Sequence, residues 1–163
     1  MKRIVILCLE DETEVLDALM RDLTPFKKTM RIEAAESVDD ARAVLAECEA
    51  DGDPIGLILC DHLMPGVRGV DFLVELQKES KYAETRKVLI TGQAGLEDTV
   101  RAVNNARLQH YIAKPWNADT LQEVVREQLT EFVIRNEEDL TPYISVLDGP
   151  RLLEAMAATG KDR

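Results

Sequence analysis

The sequence predicts an α/β domain built on a parallel sheet, on three observations. Five short apolar runs recur along the chain, at Ile4–Leu9, Met30–Ala35, Gly56–Cys60, Val88–Thr91 and Tyr111–Ala113. Segments with apolar residues at helical spacing separate them. The first run is continuously apolar rather than alternating, as a strand covered by helices on both faces requires. Five βα units joined by right-handed crossovers follow from this order.

Taken in sequence, Ile4–Leu9 reads as the first strand. Glu10 to Glu14 lead into a helix with Val15, Leu16, Leu19 and Leu23 on one face, ended by Pro25. Met30–Ala35 is the second strand, and Ser37 caps a helix through about Cys48 with Val38, Ala41, Val44 and Leu45 inward. Asp51-Gly52-Asp53-Pro54 punctuates before the third strand, Gly56–Cys60. Pro65, Gly66 and Gly69 mark a loop, and Val70, Leu73, Val74, Leu76 and Gln77 carry a helix to about Ser80. Val88–Thr91 is the fourth strand, Gly92 and Gly95 a turn, and Thr99, Val100 and Val103 the inner side of a fourth helix. After the fifth strand, Asn117 caps a long helix carrying Leu121, Val124, Val125, Leu129 and Phe132.

At 163 residues the chain is long enough for one sizeable core, burying roughly two thirds of its unfolded surface. With 45% hydrophobic and 31% charged residues it falls among globular rather than disordered chains. A net charge of -11, without clustered Lys or Arg, argues against nucleic acid as a direct partner and favours plain solubility. No apolar stretch approaches the roughly 18 to 20 residues of a membrane span, and the N-terminal run is too short for a signal peptide, so a cytoplasmic location is expected. Cys8, Cys48 and Cys60 lack metal-ligand spacing and are expected to be reduced, packed thiols.

The polar residues that close the runs are the functional signal: Glu10-Asp11, Asp61, Thr91 and Lys114-Pro115. In an open parallel sheet, ligands bind at the carboxyl ends of the strands, so three carboxylates, a hydroxyl and an ammonium would meet there. Each carboxylate raises the cost of ionising the next, and a hard cation such as magnesium would relieve it while leaving sites for phosphoryl oxygens. An acidic pair after a strand also serves simply as a helix N-terminal feature, a strand-end Asp as a loop cap, and a surface Lys or strand-end Thr is ordinarily just solvated. The functional reading rests on their coincidence. Asp61 is then the candidate nucleophile toward phosphorus, with Lys114 as point charge and Thr91 as rotatable donor.

The stretches Ile6-Leu7-Cys8-Leu9-Glu10-Asp11-Glu12, Leu59-Cys60-Asp61-His62-Leu63-Met64-Pro65-Gly66-Val67-Arg68-Gly69, Val88-Leu89-Ile90-Thr91-Gly92 and Tyr111-Ile112-Ala113-Lys114-Pro115-Trp116 resemble the receiver domains of two-component response regulators, the CheY-like family, over about residues 1–127. The resemblance implies a flavodoxin-like doubly wound (βα)5 sheet in strand order 2-1-3-4-5. It implies Asp61 as phosphoacceptor, Glu10, Asp11, Asp61 and the backbone carbonyl of Leu63 around Mg2+ or Mn2+, Thr91 and Lys114 as catalytic partners, and Thr91 and Tyr111 as switch residues. A cis Lys114-Pro115 bond would turn the lysine inward. The implied function is a phosphorylation-controlled receiver that catalyses its own phosphorylation and dephosphorylation rather than a turnover enzyme. Its phosphoryl donor would be a sensor histidine kinase or phosphotransfer protein. The downstream protein or output domain would be reached through the face of helix 4, strand 5 and helix 5, with a homodimer as a further option.

Two departures stand out: Glu10 where Asp is commoner, and Trp116 where Phe is frequent. Leu63 and Gln93 occupy positions that flank the path of hydrolytic water in receivers, and an apolar Leu63 cannot orient water, so a long-lived phosphoryl group is expected. Residues 128–163 extend the last helix through Phe132, Val133 and Arg135, break at Glu137-Glu138-Asp139, and add a short helix, Pro150–Ala158, with Asp148 as cap and Leu152, Leu153 and Met156 as an apolar face. That segment could fold back, pair between subunits, or link to an output domain of a larger regulator. It is too short and acidic for a helix-turn-helix unit. Two rival readings remain at this level: a receiver-like scaffold that works without phosphorylation, and a magnesium-dependent aspartyl phosphohydrolase, which Leu63 disfavours because it cannot transfer a proton.

Overall fold

Strand β1 (Val5–Leu9) is wholly buried and lies between two parallel neighbours, β2 (Arg31–Ala35) and β3 (Ile55–Asp61). In the computed structural model, which describes residues 2–92 and 104–159, β4 (Arg86–Thr91) and β5 (His110–Ala113) complete a five-stranded sheet in the order β2-β1-β3-β4-β5. All pairings are parallel. Helices α1 (Thr13–Asp22), α2 (Val38–Ala50) and α3 (Gly69–Gln77) supply the first three crossovers, α4 (Ala118–Asn136) follows β5 and covers one face, and α5 (Gly149–Thr159) comes after it. The fourth helix predicted around Thr99–Val103, together with Gln93 and Gly95, lies outside the described residues.

The continuous hydrophobicity of β1 and β3 has a direct structural cause. Side chains alternate across a strand, so Ile6, Cys8, Leu57 and Leu59 enter one core with α1 and α4, while Val5, Leu7, Leu9, Ile58 and Cys60 enter the other with α2 and α3. The edge strands are less covered: β2 is mostly half-buried, and in β5 only Ile112 is buried. Ser37 caps α2 by accepting from the Asp40 N–H at 3.0 Å, and Asn117 caps α4 by accepting from Asp119 and Thr120. Several boundaries differ from the sequence reading: β4 starts at Arg86 rather than Val88, β5 at His110, and α2 runs on to Ala50. Thr24–Phe26 forms a separate 3-10 turn after α1, α3 ends at Gln77, and β3 runs on to include Asp61.

The tail packs against the domain. Leu140, Leu147 and Leu152 are buried in the same cluster as Phe26, Phe132 and Val133. Arg126 donates to the Val146 carbonyl at 3.4 Å, the Asp148 N–H donates to Thr130 Oγ1 at 3.1 Å, and Arg151 pairs with Glu131. Lys2 pairs with Glu137 at 3.2 Å, and Asp148 caps α5 through the Arg151 N–H. Cys8, Cys48 and Cys60 are free and buried, and burial pushes each thiol upward, that of Cys48 to about 11. No helix among the described residues is long and apolar enough to cross a membrane.

Candidate functional site

The strand order sets β1 beside β3 at the middle of the sheet, so the residues following their carboxyl ends are neighbours. Glu10 and Asp11 come off β1, and Asp61 is the last residue of β3. One carboxylate oxygen from each of the three lies within 4.8 Å of the others. Glu10 and Asp61 are 2% and 4% exposed, so the charges face one another in a poorly solvated crevice. Gly69 lets α3 start hard against the end of β3: its N–H donates to the His62 carbonyl at 2.8 Å, and a Cβ there would run into the Asp61 carbonyl oxygen.

Lys114 enters from the loop after β5, across a cis Lys114-Pro115 bond. Its ammonium pairs with Glu10 Oε1 and with Asp61 Oδ1 at 3.1 Å. Burial lowers the Lys114 pKa, but the hydrogen bonds from Glu10 and Asp61 and their charges outweigh it, and the net shift is upward. The Glu10 carboxyl moves up, first because it is buried and further because of the Asp61 charge; Lys114 and the Glu12 N–H, which donates at 3.0 Å, oppose the rise. Thr91 ends β4, fully buried. The Tyr111 ring is half out in solvent, and its hydroxyl donates to the Thr91 carbonyl at 3.3 Å. The Leu63 side chain points outward, 53% exposed.

One atom is left over. Asp11 Oδ1 is buried and has no hydrogen-bond partner among the described residues. A buried carboxylate oxygen without a donor is costly, and one ammonium does not balance three carboxylates. An all-oxygen set with surplus negative charge and an unused ligand atom fits a hard divalent cation such as Mg2+ or Mn2+.

Sequence reasoning did not foresee a tie between the far end of α1 and the segment that follows Lys114. The Trp116 indole N–H donates to Asp22 Oδ2 at 2.8 Å, and Gln122 Nε2 donates to the Asp22 carbonyl at 2.9 Å. A groove of about 470 Å³ runs between α1 and the Lys114–Trp116 segment. The visible signal was the tryptophan where the family frequently has phenylalanine; nothing in the sequence linked it to Asp22.

Comparison with known proteins bears on the family and the fold of this chain. The profile of the response regulator receiver domain matches residues 6–126. The hydrogenase transcriptional regulatory protein HoxA of Cupriavidus necator is 37% identical over 126 residues, 77% of this chain and 24% of that protein. Chemotaxis protein CheY-3 of Vibrio cholerae is 29% identical over 125 residues, 75% of this chain and 88% of that protein. The crystal structure of a CheY-like response regulator receiver domain protein from Methanospirillum hungatei superposes with a TM-score of 0.67 at 27% identity, covering 80% of this chain and 97% of that one. The chain spans about a quarter of the length of the HoxA relatives.

Proposed function

The chain belongs to the response regulator receiver domain family, and from that premise we propose that it is a cytoplasmic, phosphorylation-controlled signalling module with Asp61 as its phosphoacceptor. The observation that carries this reading is the convergence of Glu10, Asp11, Asp61 and Lys114 in one crevice with Asp11 Oδ1 unpartnered. The donor is a phosphohistidine on a sensor kinase or phosphotransfer protein. An Asp61 carboxylate oxygen attacks phosphorus as the imidazole leaves from the opposite side. Glu10, Asp11, Asp61 and the Leu63 backbone carbonyl would hold a magnesium ion, which when bound supplies positive charge to the phosphoryl oxygens. Lys114 is pre-positioned against Asp61 and neutralises charge that develops on the transferring group.

After transfer, Thr91 offers its hydroxyl to a phosphoryl oxygen. Its movement alters the backbone carbonyl on which the Tyr111 hydroxyl rests, and the tyrosine turns inward. This biases a two-state element by a local charge event and changes the face that the fifth strand and the long helix present to a downstream protein or output domain. Leu63 cannot transfer a proton or orient water, which favours a persistent signal over turnover of phosphate esters.

The test is intact-mass measurement after incubation with magnesium and acetyl phosphate, with decay followed after donor removal. One phosphoryl adduct on the wild type, absent from Asp61→Asn and slow to decay, is expected. A wild type that never gains the adduct sinks the acceptor assignment, and partner binding unchanged in Asp61→Asn would establish the phosphorylation-independent scaffold instead.

A further inference from the structure

Asp22 is an acid in an unfavourable place. It is the last residue of α1, where the negative end of the helix dipole opposes a carboxylate. Its carboxylate is met by the Trp116 indole N–H at 2.8 Å, and its carbonyl by Gln122 Nε2 at 2.9 Å. The two donors belong to the loop that follows Lys114 and to the first turns of α4, whereas α1 starts directly after Glu10 and Asp11. The tie therefore joins the element descending from the acidic pair to the segment that delivers the ammonium.

Besides that bond the loop is held at its two ends and at the Lys114 ammonium, which pairs with Glu10 and Asp61. The Lys114 N–H donates to the Thr91 carbonyl at 3.2 Å, and Asn117 caps α4. Between these points Trp116 is partly buried against the α1–α4 core. A phenylalanine would retain that packing but could not donate to Asp22.

From this geometry we infer that Trp116, acting through Asp22, is a positioning residue for phosphotransfer: the indole–carboxylate bond sets where the Lys114 ammonium stands relative to Asp61. The inference rests on the reading of Asp61 as acceptor. Placement of a transition-state charge is sensitive to displacements well under 1 Å, whereas a hydrogen bond that only adds stability leaves the rate constant untouched.

The experiment follows phosphorylation by acetyl phosphate with magnesium, by intact mass, at donor concentrations that separate the limiting rate constant from the half-saturating concentration. Trp116→Phe and Asp22→Ala are each expected to lower the limiting rate constant about tenfold with little change in half-saturation, and the double variant no further. Asp22→Asn keeps an acceptor oxygen for the indole and is expected to restore most of the rate. Thermal unfolding of the same proteins registers any folding defect separately. Trp116→Phe at the wild-type rate, or a loss in Asp22→Asn equal to that in Asp22→Ala, overturns the inference while leaving Asp61 as acceptor. A wild type that gains no adduct removes the acceptor assignment, and this inference with it.

Discussion

Lys87 stands second in β4, fully buried, with its ammonium donating to the carbonyls of Tyr82 at 3.0 Å and Thr85 at 2.8 Å. Burial is the main cause that pulls its pKa down, from 10.5 to about 8, with the Arg86 and Arg107 charges adding to it. The folded chain thus gives up this proton near pH 8, and the unfolded chain holds it until about 10.5. Between those values the unfolded state holds the Lys87 proton and the folded state does not, so this residue's contribution to stability rises with pH, by up to about 3 kcal/mol. Urea unfolding at pH 7.5 and pH 9.5 is expected to respond to pH more favourably in the wild type than in Lys87→Met, by about 2 kcal/mol, because the opposing loss from the buried thiols of Cys8, Cys48 and Cys60 is common to both; an identical pH response in both proteins would refute the assignment. Residues of this kind are hard to read from sequence. Arg86-Lys87 looks like the polar approach to a strand starting at Val88, and only the fold reveals that carbonyls of the preceding turn receive the ammonium. Glu10, Asp11, Asp61, Thr91 and Lys114 were legible for the opposite reason, since each directly closes an apolar run and parallel topology gathers such positions at one edge.

Among the elements, α4 and α5 are held very differently. Eight residues of α4 are buried, whereas in α5 only Leu152 is, supported by the half-exposed Arg151–Glu131 pair and the Asp148 cap. A surface ion pair of that sort contributes well under about 1 kcal/mol, and burying one leucine about 2 kcal/mol. Residues 149–159 are therefore expected to open locally long before the sheet does. Amide hydrogen exchange should show α5 exchanging first, with Leu152→Ala erasing its residual protection and sparing α4. Protection in α5 equal to that of the β1 and β3 amides would contradict this. The sequence announced both helices, because Asn117 and Asp148 are recognisable caps and the apolar spacing is regular. It left open what the apolar faces meet: spacing along a helix shows that a face must be covered and says nothing of which surface covers it.

For the whole molecule, the decisive quantity is how much of the core lies beyond the stretch that matches the family. That match ends at residue 126, and the CheY-3 relative aligns over only 125 residues, so the receiver fold as such does not need a tail. In this chain, however, α4 continues without a break to Asn136. Leu129, Phe132, Val133, Leu140, Leu147 and Leu152 then fill the same cluster as Ile4, Leu23, Phe26 and Met30. Each of those six contributes about 2 kcal/mol of burial. The entropy of ordering the segment cancels part of this, but the total folding stability of a domain is only about 5–15 kcal/mol. Cutting after residue 127 severs α4 in mid-helix and bares the apolar side of β3 under it, whereas cutting after residue 147 removes only α5 and its Asp148 cap. Residues 1–147 are accordingly expected to unfold cooperatively within a few degrees of the full chain, and residues 1–127 to melt at least 10 °C lower or to aggregate, as a loss of several kcal/mol implies for a domain of this size. Circular dichroism melts of the three proteins decide it: a 1–127 fragment as stable as the full chain would mean that the tail merely rests on a core complete without it, and that the contacts of Leu140 and Leu147 contribute nothing to folding.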